Sequence, residues 1–426
     1  MKTSTIGFYF CLYCLLFISV TSVAQELKVV DLKVQGNKKT KASFIKKIAK
    51  VKAGATLDSI ALEEDIKRIK RLPSVAHAYY QVFKAQNEGE YNVFYTIEEN
   101  FTIIPSANVY TTNDDEFAFR IGVYEFNLFG QNITFGGFYQ DDIYSSFGVN
   151  LRAPFLFSSK IGLAFNYQNL TTQEPVFLDT GTADYRYNNT SYELLGLYQF
   201  NFQNRVELGV NYFNEDYSYK NGATGPDVPL DFDVNKLLYK LIYEYNDLDY
   251  DFQYVSGFRS IANFQYVIST ENVLPDFLIG WNDFLYYHRI GKKGNWASRL
   301  RLGLATNDDS PFAPFAVDNN LNIRGVGNTI DRGTGVIVLN TEYRHTIYDK
   351  DWFVLQSNVF VDGGSWRNPG GDFGDFGDSQ NFRIYPGVGL RFMHKRIFNA
   401  IFRIDYGYGI TDDATNGFVF GIGQYF

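Results

Sequence analysis

The chain has 426 residues and a formal net charge of -8, and its 32 Tyr and 40 Phe residues bring the aromatic content to 18%. The acidic balance argues against a nucleic-acid-binding protein, which needs a basic face to displace counterions. The aromatic content is higher than soluble domains usually carry, and aromatic rings are favoured at the interface between a bilayer and water.

Residues 1–24 are typical of a secretory signal peptide, with a short positive start, an apolar stretch at 6–20 and small residues at 22–24. An N-terminal membrane helix is the alternative. Cys11 and Cys14 both lie in this segment, so the exported chain has no thiol for a disulfide, a catalytic cysteine or a zinc site. No later segment has 18 unbroken apolar residues. The chain is therefore either a large exported all-β protein or a transmembrane β-barrel.

Residues 26–99 are predicted to form a small α+β domain with the element order β-α-α-β-β. LKVVDLKVQGN alternates as a strand does, and KASFIKKIAKV and SIALEEDIKRIKRL have helical spacing, with Asp58 as the N-cap of the second helix. AHAYYQVFKA and YNVFYTIEEN then form a hairpin around Gly89. The domain has no convergent pair of acidic residues, so no catalytic chemistry is predicted. Its lysine-rich helices fit a solvated face, and the functional alternative is an exposed sheet edge that receives another strand.

From residue 102 onward the chain alternates apolar with polar or small residues in segments of about ten residues, the pattern of a transmembrane barrel. In RVELGVNYF, for example, Leu208 and Val210 share one face and Glu207 and Asn211 the other. We therefore predict a mainly β fold in which a sixteen-stranded antiparallel transmembrane β-barrel over residues 102–426 follows the small domain. The predicted strands are 103–111, 116–126, 131–140, 146–155, 159–168, 190–201, 204–217, 234–248, 250–269, 277–290, 294–306, 334–347, 351–361, 381–393, 397–409 and 416–426.

Loop lengths support this count. The four long connections, 169–189, 218–233, 307–333 and 362–380, all follow odd-numbered strands, whereas the connections after even-numbered strands are short. Transmembrane barrels have short periplasmic turns and longer outer loops. A soluble β-sandwich gives no reason for such segregation.

The connection 307–333, between the eleventh and twelfth predicted strands, is the sixth loop on the outer side. It contains NIRGVGNTIDRG, which has arginines and glycines but few apolar residues. Because side chains alternate along a strand, Glu342 and Arg344 of the twelfth predicted strand are expected on the lumen face. The same alternation places Asp362, at the end of the thirteenth, on that face. If the loop folds inward, Arg324 meets Asp362 or Glu342 in a charge-assisted pair, and Gly325 lets the backbone approach the wall. The alternative is a solvated outer loop.

Several short segments, in this order, resemble the outer-membrane assembly and secretion superfamily of BamA, TamA and FhaC-like proteins. VQGN, AGATLDSIALEEDIKRIKRL and YNVFYTIEEN are similar to a complete POTRA domain, and EFNLFGQN resembles the first periplasmic turn of the barrel. IRGVG resembles the arginine-glycine motif of loop six, and LNTEYR and VFVDGG resemble the two strand motifs that follow it. The resemblance covers nearly all of the exported chain.

The resemblance implies a lock in the lumen and a weak lateral seam. In such proteins the loop-six arginine docks on a strand aspartate, here Arg324 on Asp362. The first and last strands pair weakly, so that the seam opens towards lipid and templates an incoming strand. Glycines are expected to weaken the last strand, and its terminal aromatic is similar to a barrel-recognition signal, although Gln424 departs from it; these residues are Gly417, Gly421, Gly423 and Phe426.

The implied function is polypeptide transport in the outer membrane of a Gram-negative bacterium, with the POTRA-like domain in the periplasm. Unfolded outer-membrane or secreted proteins are the expected clients, bound at the POTRA edge and the barrel seam, with the bilayer and accessory lipoproteins as further partners. A single POTRA domain, where central assembly proteins carry several, favours a specialised or accessory member. No cofactor, metal site or catalytic residue is predicted.

Two alternatives remain at this stage. A passive channel or receptor barrel would use Arg324 and the lumen charges only for ion selectivity. An enzyme is disfavoured because the four histidines, at 77, 288, 345 and 394, have no partners at catalytic or metal-ligand spacing. The acidic loop 370–379 has the oxygen ligands that Ca²⁺ prefers but not the spacing of an EF-hand.

Overall fold

The computed structural model describes residues 27–111, 117–141, 143–178, 180–225, 230–270, 275–308, 313–317, 322–326, 331–412 and 414–426. The predicted signal peptide lies outside these residues. Within them, neither helix has the length and apolar character needed to cross a bilayer.

The N-terminal domain has the predicted element order. Strand β1 (Lys28–Gln35) is followed by helices α1 (Ala42–Ile48) and α2 (Ser59–Lys70) and by strands β2 (Val75–Lys84) and β3 (Glu90–Glu99). The side chain of Asp58 accepts a hydrogen bond from the backbone of Ile60 and caps α2, as its position predicts. The sheet order is β1-β3-β2, with β1 parallel and β2 antiparallel to β3. The apolar faces of the two helices cover this sheet and form the core of the domain.

Sixteen strands of the described residues form an antiparallel, nearly closed barrel, which confirms the predicted number. Three further strands have only three residues each: β12 pairs with the start of β13, and β16 pairs with β17. In chain order the strands are β4 (Ile103–Thr111), β5 (Phe117–Leu128), β6 (Ile133–Asp141), β7 (Ser145–Ala153), β8 (Ile161–Leu178), β9 (Gly181–Gln199), β10 (Asn204–Gly222), β11 (Asp231–Asn246), β12 (Asp249–Asp251), β13 (Tyr254–Ser269), β14 (Phe277–Ile290), β15 (Gly294–Ala305), β16 (Phe315–Val317), β17 (Asp331–Gly333), β18 (Gly335–Lys350), β19 (Phe353–Arg367), β20 (Phe382–His394), β21 (Ile401–Tyr408) and β22 (Asn416–Ile422).

The two faces of the barrel wall differ in polarity, because side chains alternate along each strand. Leu208 and Phe402 point outward and are 58% and 46% exposed, whereas Glu207 and Asp405 are buried on the inner face. Exposed Leu, Val, Phe and Tyr side chains recur around the outer wall. An apolar exterior around a charged interior is the arrangement expected of a barrel in lipid.

The predicted long loop at 169–189 is wrong. Strands β8 and β9 continue as a paired hairpin to Leu178 and Gly181. Polar side chains link the strands here: the amide of Asn188 donates to the Thr171 hydroxyl at 2.6 Å. The hydrophobic alternation that identifies a strand in lipid is lost where both faces are polar, so the sequence resembles a loop. The predicted loop at 218–233 is shorter than expected for the same reason, since β10 continues to Gly222.

The N-terminal domain lies against one end of the barrel, which we call the near end; the opposite end is the far end. The guanidinium of Arg71 donates to the carbonyl oxygens of Leu248 and Asn246 at 2.8 and 2.9 Å. Within the described part of the chain, three ion pairs also join the domain to the barrel: Lys70–Asp249 at 2.5 Å, Lys39–Glu125 at 2.5 Å and Arg396–Glu98 at 2.9 Å.

The barrel closes between the last and first strands. The sheet order places β22 beside β4, but no extended register is found between their described residues, in contrast to the other strand neighbours. Strand β22 ends at Ile422, four residues short of the predicted end. Gly423 has a φ of 89°, a conformation that favours glycine, and the chain turns inward after it.

Candidate functional site in the barrel lumen

The connection between β15 and β18 enters the barrel. Its described residues 322–326 are held by amide side chains: Asn322 donates to the carbonyl of Ala316 at 2.6 Å, and Asn340 of β18 donates to the carbonyl of Asn322 at 2.7 Å. Ile323 is fully buried in an apolar cluster at the far end. This inturned segment therefore places Arg324 against the inner wall.

The guanidinium of Arg324 makes a bidentate pair with Asp362 of β19. Its Nε and Nη2 donate to the two carboxylate oxygens at 2.8 and 2.9 Å, and the backbone N–H of Arg324 donates to Oδ2 at 3.0 Å. Nη1 donates to Glu342 of β18 at 2.5 Å. All three side chains are 0% exposed. Bidentate geometry fixes the orientation of the guanidinium as well as its position.

These groups belong to a larger charged network on β18 to β21. Arg344 donates to Glu342, Arg391 donates to Asp405 at 2.7 Å, and Arg324 lies 3.7 Å from Asp405. Four positive and three negative side chains share this space, so the network has one excess positive charge. We call it the lumen cluster; its members are Arg324, Glu342, Arg344, Asp362, Arg391, Arg403 and Asp405.

Aromatic rings cover the remaining faces of the cluster. The guanidinium of Arg324 lies 3.7 Å from the centroid of the Phe360 ring and 4.6 Å from that of Tyr425. Tyr425 also lies 4.8 Å from the guanidinium of Arg403. Cation–π contacts of this kind stabilise a desolvated guanidinium.

Gly325 meets the predicted need for close approach. Its φ is 104°, and a Cβ added to it would lie 2.8 Å from the backbone of Gly407 in β21. A Cβ on Gly407 would lie 2.1 Å from the carbonyl oxygen of Arg324. The hydroxyl of Thr415 donates to the carbonyl of Gly325 at 3.2 Å. Two glycines thus bring the inturned segment into backbone contact with the wall next to the last strand.

The structure shows where the C-terminal residues of the predicted seam lie. Gly417 and Gly421 are paired in register with β21 and do not interrupt β22. A Cβ on Gly421 would lie 2.5 Å from the guanidinium of Arg403, so this glycine makes room for the cluster. Gly423 does end the strand. Phe426 is not on the outer wall: it lies inside the barrel, 5.7 Å from the guanidinium of Arg344, because the turn at Gly423 directs it there.

Sequence reasoning missed Arg391, Arg403 and Asp405 as members of the cluster. The alternation in FRIDYGYGI does assign Arg403 and Asp405 to the inner face. The sequence does not show where β20 and β21 lie relative to the inturned segment, because their position is set by the closure of the whole barrel.

Other candidate residues have ordinary local partners. The carboxylates of Asp372 and Asp378 accept hydrogen bonds from Gly374 and Gln380 two residues ahead, and so cap short 3-10 turns. The ring of His77 stacks on Phe252, with centroids 5.0 Å apart. Among the described residues, no three His, Cys, Asp or Glu side chains are grouped as a metal site requires.

Comparisons with known proteins agree with this architecture. Residues 27–100 match the POTRA family model, described as "Surface antigen variable number repeat". No curated protein matches the chain significantly.

Among solved structures, BamA from Haemophilus ducreyi lacking POTRA domains 1-3 aligns over 92% of this chain and 83% of its own, with a TM-score of 0.53 and 15% identity. CdiB from Acinetobacter baumannii aligns over 94% and 74% with a TM-score of 0.61 and 14% identity. CdiB from Escherichia coli aligns over 93% and 75% with a TM-score of 0.61 and 11% identity. The N-terminal domain is therefore a POTRA domain, and the chain as a whole has the fold of BamA and CdiB, a POTRA domain followed by a sixteen-stranded barrel.

Proposed function

We propose that the protein is an outer-membrane polypeptide transporter or insertase, with the POTRA domain in the periplasm and the apolar outer wall in the bilayer. The observation that carries this proposal is the inturned loop, fastened by Arg324 to the lumen cluster beside the last strand. A structure that only conducts ions does not require a loop bound to the wall by a buried bidentate pair. A transporter that must seal its lumen between cycles does.

The lumen cluster suits a device with two discrete states. A buried guanidinium with three carboxylates around it is stable when fully paired and costly when one partner is removed. The inturned segment is therefore either docked or released, with little population between. Its contact with Gly407 of β21 links that choice to the strand that pairs with β22.

Two surfaces are proposed to receive client strands. In the POTRA domain, β2 is an edge strand, and Tyr79 and Phe83 on it are 43% and 51% exposed. Edge strands with free backbone groups pair readily with an added strand. In the barrel, the weak junction between β4 and β22 is the proposed exit towards lipid. Accessory lipoproteins stay a prediction of the sequence.

A passive channel or receptor barrel is the second candidate, and the apolar packing at the far end argues against it. Phe315, Val317, Ile323, Val336 and Trp366 form a buried apolar cluster there. Single-channel recording in planar bilayers separates the two functions. We expect the wild type to be mostly closed, and Arg324→Ala and Asp362→Ala to conduct with frequent, noisy transitions. A steady open pore that neither substitution alters would favour the channel.

The proposed function itself is tested by depleting the protein in its host and comparing the outer-membrane and secreted proteomes. Loss of many barrel proteins would indicate general assembly, and loss of one exported protein would indicate dedicated secretion. Complementation with Arg324→Ala should fail, whereas Arg289→Ala, at an exposed ion pair with Asp251, should succeed. Unchanged proteomes after depletion would overturn the proposal.

A further inference from the structure

A cavity of about 670 Å³ lies between the POTRA domain and the near end of the barrel. Its walls come from the end of α2 and the start of β2 on one side, and from inward-facing barrel residues and turns on the other. We call this cavity the vestibule. Its volume is in the range of about 300–1,000 Å³ that is usual for ligand sites.

The vestibule is strongly basic. Among the described residues that line it, Glu244 has the only carboxylate side chain. Arginine and lysine side chains line it on both sides: Arg68, Lys70 and Arg71 from the POTRA domain, and Arg205, Arg259 and Arg344 from the barrel.

Neighbouring carboxylates offset only part of this charge. Lys70 pairs with Asp249, and Arg205 and Arg259 share Glu244. Arg205 also lies 3.2 Å from Glu207, and Arg344 pairs with Glu342 of the lumen cluster. In the described part of the chain, neither Arg68 nor Arg71 has a carboxylate within 4.0 Å; their guanidinium groups donate to backbone carbonyl oxygens instead. Burial lowers the pKa of both arginines, so a nearby anion would recover electrostatic energy.

Three guanidinium nitrogens of the described lining residues retain hydrogen-bonding capacity. Nη2 of Arg71, Nε of Arg205 and Nη2 of Arg344 make no hydrogen bond among the described residues. They belong to opposite walls of the vestibule. Aromatic rings lie beside the charges: the Phe202 ring centroid is 4.2 Å from the guanidinium of Arg71, and Phe252, Tyr287 and Phe426 also line the cavity. Such a surface fits a ligand with carboxylates and apolar side chains.

The position of the vestibule favours a polypeptide over a lipid. Arg205, Glu244 and Arg344 lie on the inner face of the wall, so a membrane lipid would have to leave the bilayer to reach them. An extended chain arriving at the POTRA domain would meet the vestibule before the lumen. We propose, building on the proposed transport function, that the vestibule binds acidic, aromatic-containing segments of an unfolded client polypeptide before they enter the barrel.

The test measures binding of synthetic peptides to the full-length protein in nanodiscs by fluorescence anisotropy. The probe is an unstructured peptide of alternating Glu and Tyr, and its matched control replaces each Glu with Lys. We expect the acidic peptide to bind at least about tenfold more tightly than the lysine peptide, with an affinity that falls steeply with salt, because the attraction is electrostatic. Equal affinities for the two peptides would overturn the proposal without any variant being needed.

Substitutions then locate the site. Arg68→Gln/Arg259→Gln should weaken acidic-peptide binding by about tenfold, since two of the cations that attract it are lost. Arg289→Gln, outside the vestibule, is the matched control and should bind as the wild type does. Unchanged affinity in the correctly folded double variant would overturn the assignment to this cavity.

Competition separates the chemical sources of the anion. Displacement of the peptide by millimolar inorganic phosphate or by short-chain phosphatidylglycerol, each binding more tightly than the peptide, would assign the site to a phosphate ligand and overturn the peptide proposal. A failure of peptide binding together with client loss on depletion would reject the vestibule inference and leave the transport function standing.

Discussion

Arg324 has no exposed surface, although charged side chains normally remain in water. From the sequence a partly wet lumen is expected, in which losing Asp362 costs about 1–3 kcal/mol. Because Arg324, Glu342 and Asp362 are fully buried in the structure, we expect Asp362→Ala or Arg324→Ala to lower the free energy of unfolding by about 3–5 kcal/mol. Unfolding by guanidinium chloride of the protein in lipid vesicles measures this difference in free energy. Arg289→Ala, at an exposed pair, should cost about 0–1 kcal/mol.

The charge-swapped pair refines the same prediction. A carboxylate at position 324 would lie beside Glu342 and Asp405, which now surround the guanidinium. Arg324→Asp/Asp362→Arg should therefore recover little of the lost stability, because like charges repel strongly at a buried site. Full recovery would mean that Asp362 is the dominant partner and that the other two carboxylates contribute little.

Gly325 tests the backbone contact independently of charge. Alanine there would adopt a φ of 104° and place its Cβ 2.8 Å from the backbone of Gly407. We expect Gly325→Ala to release the inturned segment and increase its proteolysis in intact cells. Gly291→Ala is the matched control, since Gly291 also has positive φ, at 58°, but nothing within 4 Å of an added Cβ. The control should cost only about 1 kcal/mol of strain; equal effects of both variants would contradict the contact.

Arg324, Glu342 and Asp362 could be assigned from the sequence. The alternation of side chains along β18 and β19 places the two acidic residues on the inner face, and the loop has one arginine between an isoleucine and a glycine. The rest of the cluster could not. Arg391, Arg403 and Asp405 reach Arg324 only when the barrel closes, and the positions of Tyr425 and Phe426 depend on one inward turn at Gly423.

At the scale of elements, Glu99 joins the end of β3 to the loop between β1 and α1. The carboxylate at the end of β3 accepts hydrogen bonds from the backbone N–H groups of Lys39 and Thr40 at 3.0 and 2.7 Å. Partial burial opposes ionisation of Glu99, but these donors outweigh it and hold the pKa below the ordinary 4.5. A depressed carboxyl pKa contributes stability that is complete above pH 4.5 and is lost as the pH falls through the lower folded-state value.

We therefore expect Glu99→Gln to loosen the segment around Lys39 and Thr40 at neutral pH. Hydrogen exchange of this segment in the full-length protein should be faster in the variant than in the wild type at pH 7. The difference should shrink at a pH well below 4.5, where the wild-type carboxyl is also protonated. Glu88→Gln, at an exposed loop position, serves as the control. A difference that does not depend on pH would rule out the ionised carboxylate as the cause.

The strands in lipid could be predicted because alternate side chains face hydrocarbon and the lumen, and so alternate between apolar and polar or small. Their number was correct, and so was the element order of the small domain. The parts of β8, β9 and β10 at the far end could not be predicted, because asparagine, threonine and tyrosine on both faces remove the hydrophobic alternation. The hairpin is held there by backbone pairing and by side-chain bonds such as that between Tyr187 and Glu215.

At the scale of the whole molecule, Arg71 joins the POTRA domain to the barrel. It donates two hydrogen bonds to barrel carbonyls and packs on Phe202. We expect Arg71→Ala to accelerate hydrogen exchange in the turn at 246–253 by about tenfold or more, since hydrogen bonds from a charged group contribute about 1.5–3 kcal/mol. Lys33→Ala, at an exposed POTRA position, should leave this turn unchanged. Protection that persists without Arg71 would show that the remaining contacts at this junction, such as the Lys70–Asp249 ion pair and the Lys47–Phe155 hydrogen bond, are sufficient to hold the domain.

The wall of the barrel is uneven in height. Strands β9 and β10 have 19 residues each, whereas β22 has 7 and β4 has 9. A strand needs about 9–11 residues to cross a bilayer, so about eight residues of the taller strands, or about 26 Å, project beyond it. With the POTRA domain in the periplasm, as proposed, the taller strands would project from the cell surface on one side of the barrel, and the wall would be low on the side of β22. Large particles such as antibodies or phage tails would contact the taller strands first, whereas an extended polypeptide could still reach the low side of the wall beside the last strand.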